Sequence, residues 1–199
     1  MTTSHVSASE DPRALRSRQR LKDALMHLLQ GEELSGIGVA ELCREAGVHR
    51  TTFYGHYESV GELAADVFAS MIDEASAVDP VNDQPLHVIA RVYYDGTASV
   101  LRAVARERQA IRSLLESSVS LGFRRRLRTY FVKRAAEAIE VMRANGLDLP
   151  QNTDVGTAFI AGGLVSSLEL WASVDDDDVE TFTRRVFRNM PGWWPDLQE

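Results

Sequence analysis

Apolar residues recur three and four positions apart along most of the chain, which is the spacing of one face of an α-helix. The first such stretch, residues 13–30, stops at Gly31, a residue type that commonly ends helices. No convincing run alternates apolar and polar residues as a half-buried strand does, and no segment repeats at a fixed period. The pattern therefore predicts an all-α fold. The apolar face of the first helix consists of Leu21, Ala24, Leu25, Leu28 and Leu29.

Glycines, prolines and turn-forming residues divide the rest of the pattern into further helices, which gives about nine in all. The clearest break is residues 79–85, which hold two prolines besides Asn82 and Asp83. Residues 154–173 are apolar over most of the helix surface, so we expect both faces of that helix to be buried. The other predicted helices cover residues 39–46, 49–55, 59–76, 86–106, 108–116 and 120–145. A last helix is predicted to open with the acidic run 175–178 and to continue to about residue 189.

Two short helices joined at Gly47 carry the clearest functional pattern. Glycine at the turn permits a positive φ without steric cost, and Val48 can fill the angle between the helices. The apolar positions of this segment are typical of a helix-turn-helix, whose second helix fits a DNA major groove about 12 Å wide. The small or apolar residues expected to face inward are Ala40, Leu42, Cys43, Ala46 and Phe53.

Composition and charge narrow the class of protein. A chain of 199 residues with 44% hydrophobic residues can form one or two domains with a real core. The formal net charge of −7 argues against a general nucleic-acid binder, although a local patch needs only a few well-placed donors. The single cysteine, Cys43, excludes an internal disulfide framework and fits a reducing cytoplasm. No apolar run reaches the roughly 18 residues that span a bilayer, so we expect no membrane partner.

The segment around Gly47 resembles the DNA-binding domain of the TetR family of bacterial transcriptional regulators. Three stretches carry the resemblance, namely Val39–Leu42, Ala46–Tyr57 and the pair Glu62-Leu63. Looser similarity to one branch of that family extends to Gly122–Leu127 and Phe159–Val165. The resemblance implies an N-terminal three-helix helix-turn-helix domain followed by a larger C-terminal helical bundle. The expected divisions are a disordered tail (1–12), the DNA-binding domain (13–58), a connecting helix (59–78) and a ligand-sensing and dimerisation domain (79–199).

The resemblance also implies which residues contact DNA. The start of the recognition helix would reach base edges, Tyr54 and His56 match positions that contact phosphates and bases, and Phe53 and Tyr57 match core positions. Two departures are visible: Gly38 stands where the family usually has a capping Thr, and Val60 stands where it often has a phosphate-contacting Lys. Residues 1–60 carry seven basic and eight acidic side chains, so the DNA face must be basic by arrangement. The predicted DNA-binding residues are His49, Arg50, Thr51, Thr52, Tyr54 and His56.

The C-terminal bundle is expected to dimerise and to bind a small molecule. One recognition helix reads only a few base pairs, so useful specificity needs two of them. Small residues in 154–173 would let helices approach closely across a two-fold axis, although the same helix could instead be buried within one chain. The predicted dimer interface comprises Gly162, Gly163, Ser166, Leu170, Phe182 and Val186. The predicted ligand-binding residues, each of which could equally serve as core, are Tyr93, Tyr94, Phe123, Phe131, Phe159 and Trp171.

Three further features have a functional and a structural interpretation. The basic run from Arg13 to Lys22 could be a phosphate-contacting arm or a solvated helix face. Cys43 could sense redox state, but its inward position favours a small core residue. Residues 175–178, four consecutive aspartates, could hold a cation, yet acids at a helix start more simply cap the helix and favour its dipole.

No pattern of a catalytic site is present: there is no phosphate-binding Gly-rich loop, no Glu-x-x-His pair and no Gly-x-Ser-x-Gly elbow. We therefore expect a cytoplasmic protein that is not an enzyme and needs no metal or cofactor. The sequence predicts a homodimeric, ligand-responsive transcriptional regulator, a repressor that a small-molecule effector releases from double-stranded operator DNA. The alternative is a helical small-molecule binding protein that has lost specific DNA binding.

Overall fold

The computed structural model describes residues 12–77 and 83–197, which contain α-helices and no strands. The predicted all-α fold is therefore confirmed for these residues. The chain divides into two compact units, Met1–Ala64 and Ala65–Glu199, and the boundary lies within α4. The helices are α1 (Pro12–Leu28), α2 (Val39–Ala46), α3 (Arg50–Tyr54), α4 (Val60–Ala75), α5 (Leu86–Arg106), α6 (Arg108–Glu116), α7 (Ser120–Ala144), α8 (Asp154–Ser173) and α9 (Val179–Phe187).

The helix bounds follow the sequence pattern closely, and the differences have local causes. The last helix begins at Val179, not within the acidic run, because the Asp178 carboxylate accepts the Thr181 N–H at 3.0 Å and so caps the helix. The first helix begins at Pro12, which the sequence analysis had placed in the tail. The rest of that predicted tail, residues 1–11, lies outside the described residues, as do residues 78–82 of the predicted break.

The N-terminal unit buries one apolar face from each of its helices. α1 contributes Leu21 and Leu25, and α1 packs against α2. The prediction that Ala40 faces inward is wrong, since this side chain is exposed. Ala40 lies at the edge of the helix surface, about a third of a turn around α2 from the mean direction of Leu42, Cys43 and Ala46. The core of this unit also includes Leu34, Ile37, Leu42, Cys43, Ala46, Phe53, Tyr57 and Leu63.

The C-terminal unit is a helical bundle built around α8. This helix packs most extensively on α7 and also contacts α5, α6 and α9. Trp171 near the end of α8 is fully buried, and its indole Nε1–H donates to the Leu101 carbonyl of α5 at 2.8 Å. The bond satisfies a polar group that would otherwise be costly to bury. Trp171 therefore fixes the distance between α5 and α8.

One side of α8 is not covered by the described residues of a single chain, whereas the sequence pattern predicts burial of both faces. Val155, Phe159 and Leu170 are 77%, 66% and 50% exposed. Their spacing of 4 and 11 residues keeps them on one face of the helix, and no other described helix covers that face. α8 is also the one helix of the described ranges that is long and apolar enough to cross a bilayer by length and composition alone. Its opposite face contributes to the core of the bundle, as in a core helix of a soluble protein.

Candidate nucleic-acid interface and ligand cavity

The turn between α2 and α3 is held in a left-handed conformation by Gly47. This residue has φ +62° and ψ 39°, where a residue with a Cβ atom is strained. The Val48 N–H donates to the Cys43 carbonyl at 3.0 Å and closes the end of α2. A Cβ atom at position 47 would also lie 2.8 Å from the guanidinium Nη2 of Arg20, which comes from α1. The turn therefore requires glycine for its backbone angle, whereas the exposed Arg20 side chain is flexible and could move away from a Cβ atom.

The start of α3 exposes the residues that the sequence analysis assigned to base contacts. His49 is the N-cap: its carbonyl accepts the N–H groups of Thr52 and Phe53 at 3.0 and 3.1 Å, and its side chain makes no capping bond. His49, Arg50 and Thr51 are exposed, and Thr52 is half-buried. Phe53 is fully buried, so the helix is anchored by one ring while its polar side chains project outward. This arrangement leaves three adjacent polar side chains available to an outside partner.

Tyr54 and His56 have different environments, although the sequence analysis assigned both to DNA contact. Tyr54 is 60% exposed and meets the buried Phe53 ring edge to face at 5.4 Å, which orients the phenol. His56 is half-buried, and its Nε2 lies 2.7 Å from Ser17 Oγ of α1. Because the Ser17 hydroxyl donates to the Ala14 carbonyl, its Oγ atom accepts the hydrogen bond from His56 Nε2–H. His56 thus ties the end of α3 to α1.

The acidic residues of α2 are engaged with basic partners away from α3. Glu41 pairs with Arg44 at 3.1 Å, and Glu45 lies 2.7 Å from the His27 ring. α3 itself contains no acidic residue. A unit with balanced total charge therefore still presents Arg50 without a neighbouring carboxylate on its own helix.

Arg50 also lowers the pKa of the nearby Cys43 thiol, but the burial of Cys43 has the larger effect and raises that pKa. A raised pKa disfavours the reactive thiolate and fits a core role for Cys43.

The C-terminal unit contains a cavity of about 60 Å³ with largely apolar walls. Two of the predicted ligand-binding residues, Tyr93 and Phe131, line it. Its other aromatic walls, Phe187 and Trp194, were not among the predicted ligand-binding residues. Trp194 lies in the run from Pro191 to Pro195, which by its sequence indicates only where a helix stops. The remaining lining side chains come from the residue that follows α4, from α5, α7, α8 and α9, and from the segment after α9. They include Ser76, Val100, Leu101, Arg134, Ile160, Leu164, Ser167, Leu168, Val186 and Met190.

The other four predicted ligand-binding residues do not join this cavity. Tyr94, Phe123 and Trp171 are at most 2% exposed and pack in the core. The Tyr94 hydroxyl donates to Glu180 Oε1 at 2.8 Å, and burial raises the pKa of this phenol. Phe159 projects outward from α8 and borders the exposed groove described below. For these four residues, sequence alone could not separate a pocket wall from a core position, because both favour large apolar side chains.

A small polar network lies at the edge of the cavity, where α4 ends. Arg134 of α7 donates to Glu137 Oε2 at 2.9 Å and to the Ser76 carbonyl at 3.1 Å. The Ser76 hydroxyl is also hydrogen-bonded to the Tyr130 hydroxyl. Burial raises the pKa values of Tyr130 and Tyr93, so both phenols stay neutral well above neutral pH. The network holds the last turn of α4 against α7 next to the cavity.

An open groove of about 180 Å³ runs between α8 and α9 on the exposed face of α8. Four of the predicted interface residues line it: Gly163 and Leu170 from α8, and Phe182 and Val186 from α9. Ser166 is exposed on α8 outside the groove lining, and Gly162 is half-buried there. Ile160, Leu164, Ser167, Val186 and Met190 line both this groove and the cavity, so a single layer of side chains separates the two.

The acidic run before α9 is used in ion pairs and a helix cap. Asp175 accepts from Arg112 at 2.9 Å, and Asp177 pairs with Arg108 at 3.2 Å. The Arg112 hydrogen bond lowers the pKa of Asp175, and the Thr181 N–H lowers that of the capping Asp178. These contacts join α6 to the connection between α8 and α9. The described residues contain no cluster of three or more potential metal ligands.

Comparison with known proteins gives a consistent result for the fold. No family model matches the sequence, and no curated protein matches it. The solved structure of RolR without ligand superposes with a TM-score of 0.63 at 18% identity, over 86% of this chain and 89% of RolR. RolR in complex with resorcinol gives 0.61 at 20% identity over 88% of each chain. A TetR transcriptional regulator from Rhodococcus sp. RHA1 gives 0.57 at 16% identity, over 90% of this chain and 99% of that one. The chain therefore has the all-helical fold of the TetR-type transcriptional regulators.

Proposed function

We propose that the protein is a homodimeric, ligand-responsive DNA-binding transcriptional regulator that acts as a repressor. The observation that carries the proposal is the exposed start of α3. There His49, Arg50 and Thr51 are exposed on a helix whose Phe53 ring is buried. An arginine can pair with a guanine edge or a phosphate, and a threonine methyl or hydroxyl can meet thymine or phosphate. The Gly47 turn fixes the angle of α3 to α2, as insertion into a major groove requires.

Dimerisation is supported by the uncovered face of α8. Large apolar side chains such as Phe159 and Leu170 are costly to leave in water, and a second copy of the chain would cover them. Gly163 and Ser166 on the same face are small enough for close helix approach. A two-fold axis there would bring α8 and α9 of both copies into one four-helix contact. Two recognition helices would then read a palindromic operator in successive major grooves.

The cavity in the C-terminal unit is the proposed effector site. It is mostly apolar with a few polar groups, as is typical of small-molecule sites. RolR, which shares the fold, was solved with the small aromatic molecule resorcinol, and this supports a small-molecule effector for the present chain. No metal or cofactor and no catalysis is invoked in this proposal, and the expected location is the cytoplasm.

Coupling between effector and DNA would pass through the end of α4. Ser76 and Arg134 both line the cavity, and Arg134 holds the Ser76 carbonyl at 3.1 Å. A ligand that displaces Arg134 would release the last turn of α4, a helix that continues into the N-terminal unit. The ligand must bind one arrangement better than the other, so operator DNA must weaken ligand binding by the same factor.

A fluorescence anisotropy titration tests the proposal. The full-length protein is titrated into a labelled duplex taken from upstream of its own gene, at about 50 and 200 mM salt, with a scrambled duplex as the sequence control. We expect specific binding that weakens at least about hundredfold between the two salt concentrations, since each phosphate contact releases counterions. Equal binding of both duplexes would contradict a specific regulator.

The alternative function is a helical small-molecule binding protein without specific DNA binding. The observation that favours it is Val60, a half-buried apolar residue at the position where the TetR family often has a phosphate-contacting lysine. The same titration separates the two functions. A protein that binds neither duplex, with and without bound small molecule, supports the alternative, whereas specific salt-sensitive binding excludes it.

A further inference from the structure

Trp194, which follows α9, forms part of the cavity wall. Its ring meets Tyr93 of α5 edge to face with 6.1 Å between centroids, and it meets Phe187 of α9 in the same manner at 6.2 Å. All three rings line the cavity. The segment after the last helix therefore contributes to the cavity wall with a large aromatic side chain.

The indole N–H of Trp194 is buried and has no acceptor among the residues that the structure describes. Buried donors are almost always hydrogen-bonded, because the lost bond to water is otherwise not replaced. Trp171, which is fully buried in the same unit, illustrates the rule, since its Nε1–H donates to the Leu101 carbonyl at 2.8 Å. Because Trp194 also lines the cavity, a molecule bound there can supply the acceptor that this N–H lacks.

The charge of the cavity is already balanced within the chain. Arg134 is the one cationic side chain in the lining, and its guanidinium bonds the Glu137 carboxylate at 2.9 Å and the Ser76 carbonyl at 3.1 Å. Tyr93 also lines the cavity, and burial keeps its phenol neutral. An anionic ligand would therefore compete with Glu137 for Arg134, and the rest of its charge would face largely apolar walls, which is unfavourable. A neutral ligand has no such cost.

We infer that the cavity binds a neutral, mostly aromatic or aliphatic small molecule that carries a hydrogen-bond acceptor, and that the Trp194 indole N–H donates to that acceptor. The inference rests on the proposed function only in taking this cavity as the effector site. It adds the chemical class of the effector and the residue that selects for it. The aromatic walls supply affinity through apolar contact, and Trp194 supplies the selectivity.

Three probe molecules of nearly equal shape test this selectivity: acetophenone is neutral with an acceptor, cumene is neutral without one, and benzoate is anionic. Each is titrated into the full-length protein labelled with ¹⁵N, and the indole N–H signals of its three tryptophans are followed by NMR. We expect acetophenone to shift the Trp194 indole signal while the Trp171 signal stays in place. Acetophenone should bind roughly tenfold more tightly than cumene, the factor expected for one restored hydrogen bond, and benzoate should bind most weakly.

Two variants identify the donor. Trp194→Phe keeps an aromatic ring but removes the N–H, so the preference for acetophenone over cumene should fall to about one while cumene binding persists. Trp193→Phe is the matched control, because Trp193 does not line the cavity and its loss should leave the preference unchanged. The inference is overturned if no probe binds, if acetophenone leaves the Trp194 signal unmoved, if benzoate binds most tightly, or if the preference survives in Trp194→Phe.

Operator affinity measured on the same samples separates this inference from the proposed function. If acetophenone binds through Trp194 and operator affinity is unchanged, the proposed ligand class is supported and the proposed ligand-responsive regulation is contradicted. If acetophenone releases the operator while the Trp194 indole signal does not shift, ligand-responsive regulation is supported and the proposed hydrogen bond from Trp194 is contradicted.

Discussion

The two compact units differ in how completely one chain covers their apolar surfaces. In the N-terminal unit the large side chains Leu25, Phe53 and Leu63 are fully buried, and the exposed residues of α3 are polar apart from the Tyr54 ring. In the C-terminal unit α8 leaves Phe159 and Leu170 at least half exposed. Among the described residues of the first unit, the large apolar side chains left exposed are Leu15 at 46% and Tyr54 at 60%, which do not form a continuous helix face like that of α8. The second needs a partner for its apolar surface.

This difference indicates which kind of partner can bind each unit. Exposed polar donors on a short, well-anchored helix suit a charged, hydrogen-bonding surface such as duplex DNA. An exposed apolar face bordered by small residues suits another protein surface of the same kind.

Phe53→Ala should lower the free energy of unfolding by about 3–5 kcal/mol, because the ring is fully buried between the helices of the N-terminal unit. Urea denaturation followed by circular dichroism measures the loss. Tyr54→Ala is the matched control, since that neighbouring ring is 60% exposed and should cost little stability. Equal losses in the two variants would contradict the assignment of Phe53 as the anchor of α3.

The double substitution Phe159→Glu with Leu170→Glu should convert a dimer into a monomer. Two carboxylates would be buried without partners at the centre of the proposed interface, which should raise the dimer dissociation constant at least about hundredfold. Analytical ultracentrifugation measures the mass. Leu121→Glu on α7 is the control, because this residue is even more exposed, at 77%, but lies outside the α8–α9 groove. A wild-type protein that is already monomeric would refute the proposed interface.

Arg50→Ala should weaken operator binding by about 1–3 kcal/mol, roughly 5- to 150-fold, without changing the unfolding midpoint. The side chain is exposed, so its removal leaves no cavity in the core. Anisotropy titration and thermal denaturation measure the two quantities. Arg128→Ala on α7 controls for the loss of one surface charge elsewhere. Unchanged operator affinity in Arg50→Ala would remove this residue from the DNA contacts.

Ser17→Ala should destabilise the N-terminal unit by about 0.5–1.5 kcal/mol, because it removes the acceptor of the His56 Nε2–H bond. Chemical denaturation measures the change. Ser35→Ala, an exposed loop position in the same unit, is the control. If both variants have the same stability as the wild type, the bond between Ser17 and His56 does not hold α1 against the end of α3.

The smallest expected effect concerns acid stability. Arg112 lowers the pKa of Asp175 in the folded protein, so the stability that this pair contributes is present above the unfolded pKa of about 3.9 and is lost as pH falls through the folded pKa. Asp175→Asn should therefore reduce the slope of stability against pH below about pH 4. Thermal denaturation across that range measures it. A slope identical to that of the wild type would mean that the exposed pair contributes nothing measurable.

Much of the fold could be predicted because its signals are local. The helix α2 and the turn at Gly47 follow from periodicity and from the special backbone of glycine, which act over a few residues. The bounds of α5, α6 and α8 follow from the same short-range signals, such as prolines before α5 and acids at the start of α8. The exposure of His49 and Arg50 could be predicted because both residues lie at the start of α3, the second of the two short amphipathic helices joined at Gly47.

The cavity and the uncovered face could not be predicted in the same way, because they depend on distant parts of the chain. Trp194 and Arg134 reach the cavity from segments far apart in sequence, and a Pro-Gly-Trp-Trp-Pro stretch has no helical period. Phe159 and Trp171 are both large apolar residues of α8, yet one is 66% exposed and the other is fully buried. Only the helices packed around α8 decide which side is covered, and that information is not local.

The most direct test of the account is a selection of bound duplexes from a random-sequence pool by the full-length protein, with Arg50→Ala selected in parallel. The account predicts that the wild type enriches an inverted repeat whose half-sites are centred about one helical turn, or a multiple of it, apart. It also predicts that Arg50→Ala enriches that repeat much less. Enrichment of no sequence, of a single unrepeated site, or of the same repeat by both proteins would contradict the claim that paired α3 helices read DNA through Arg50.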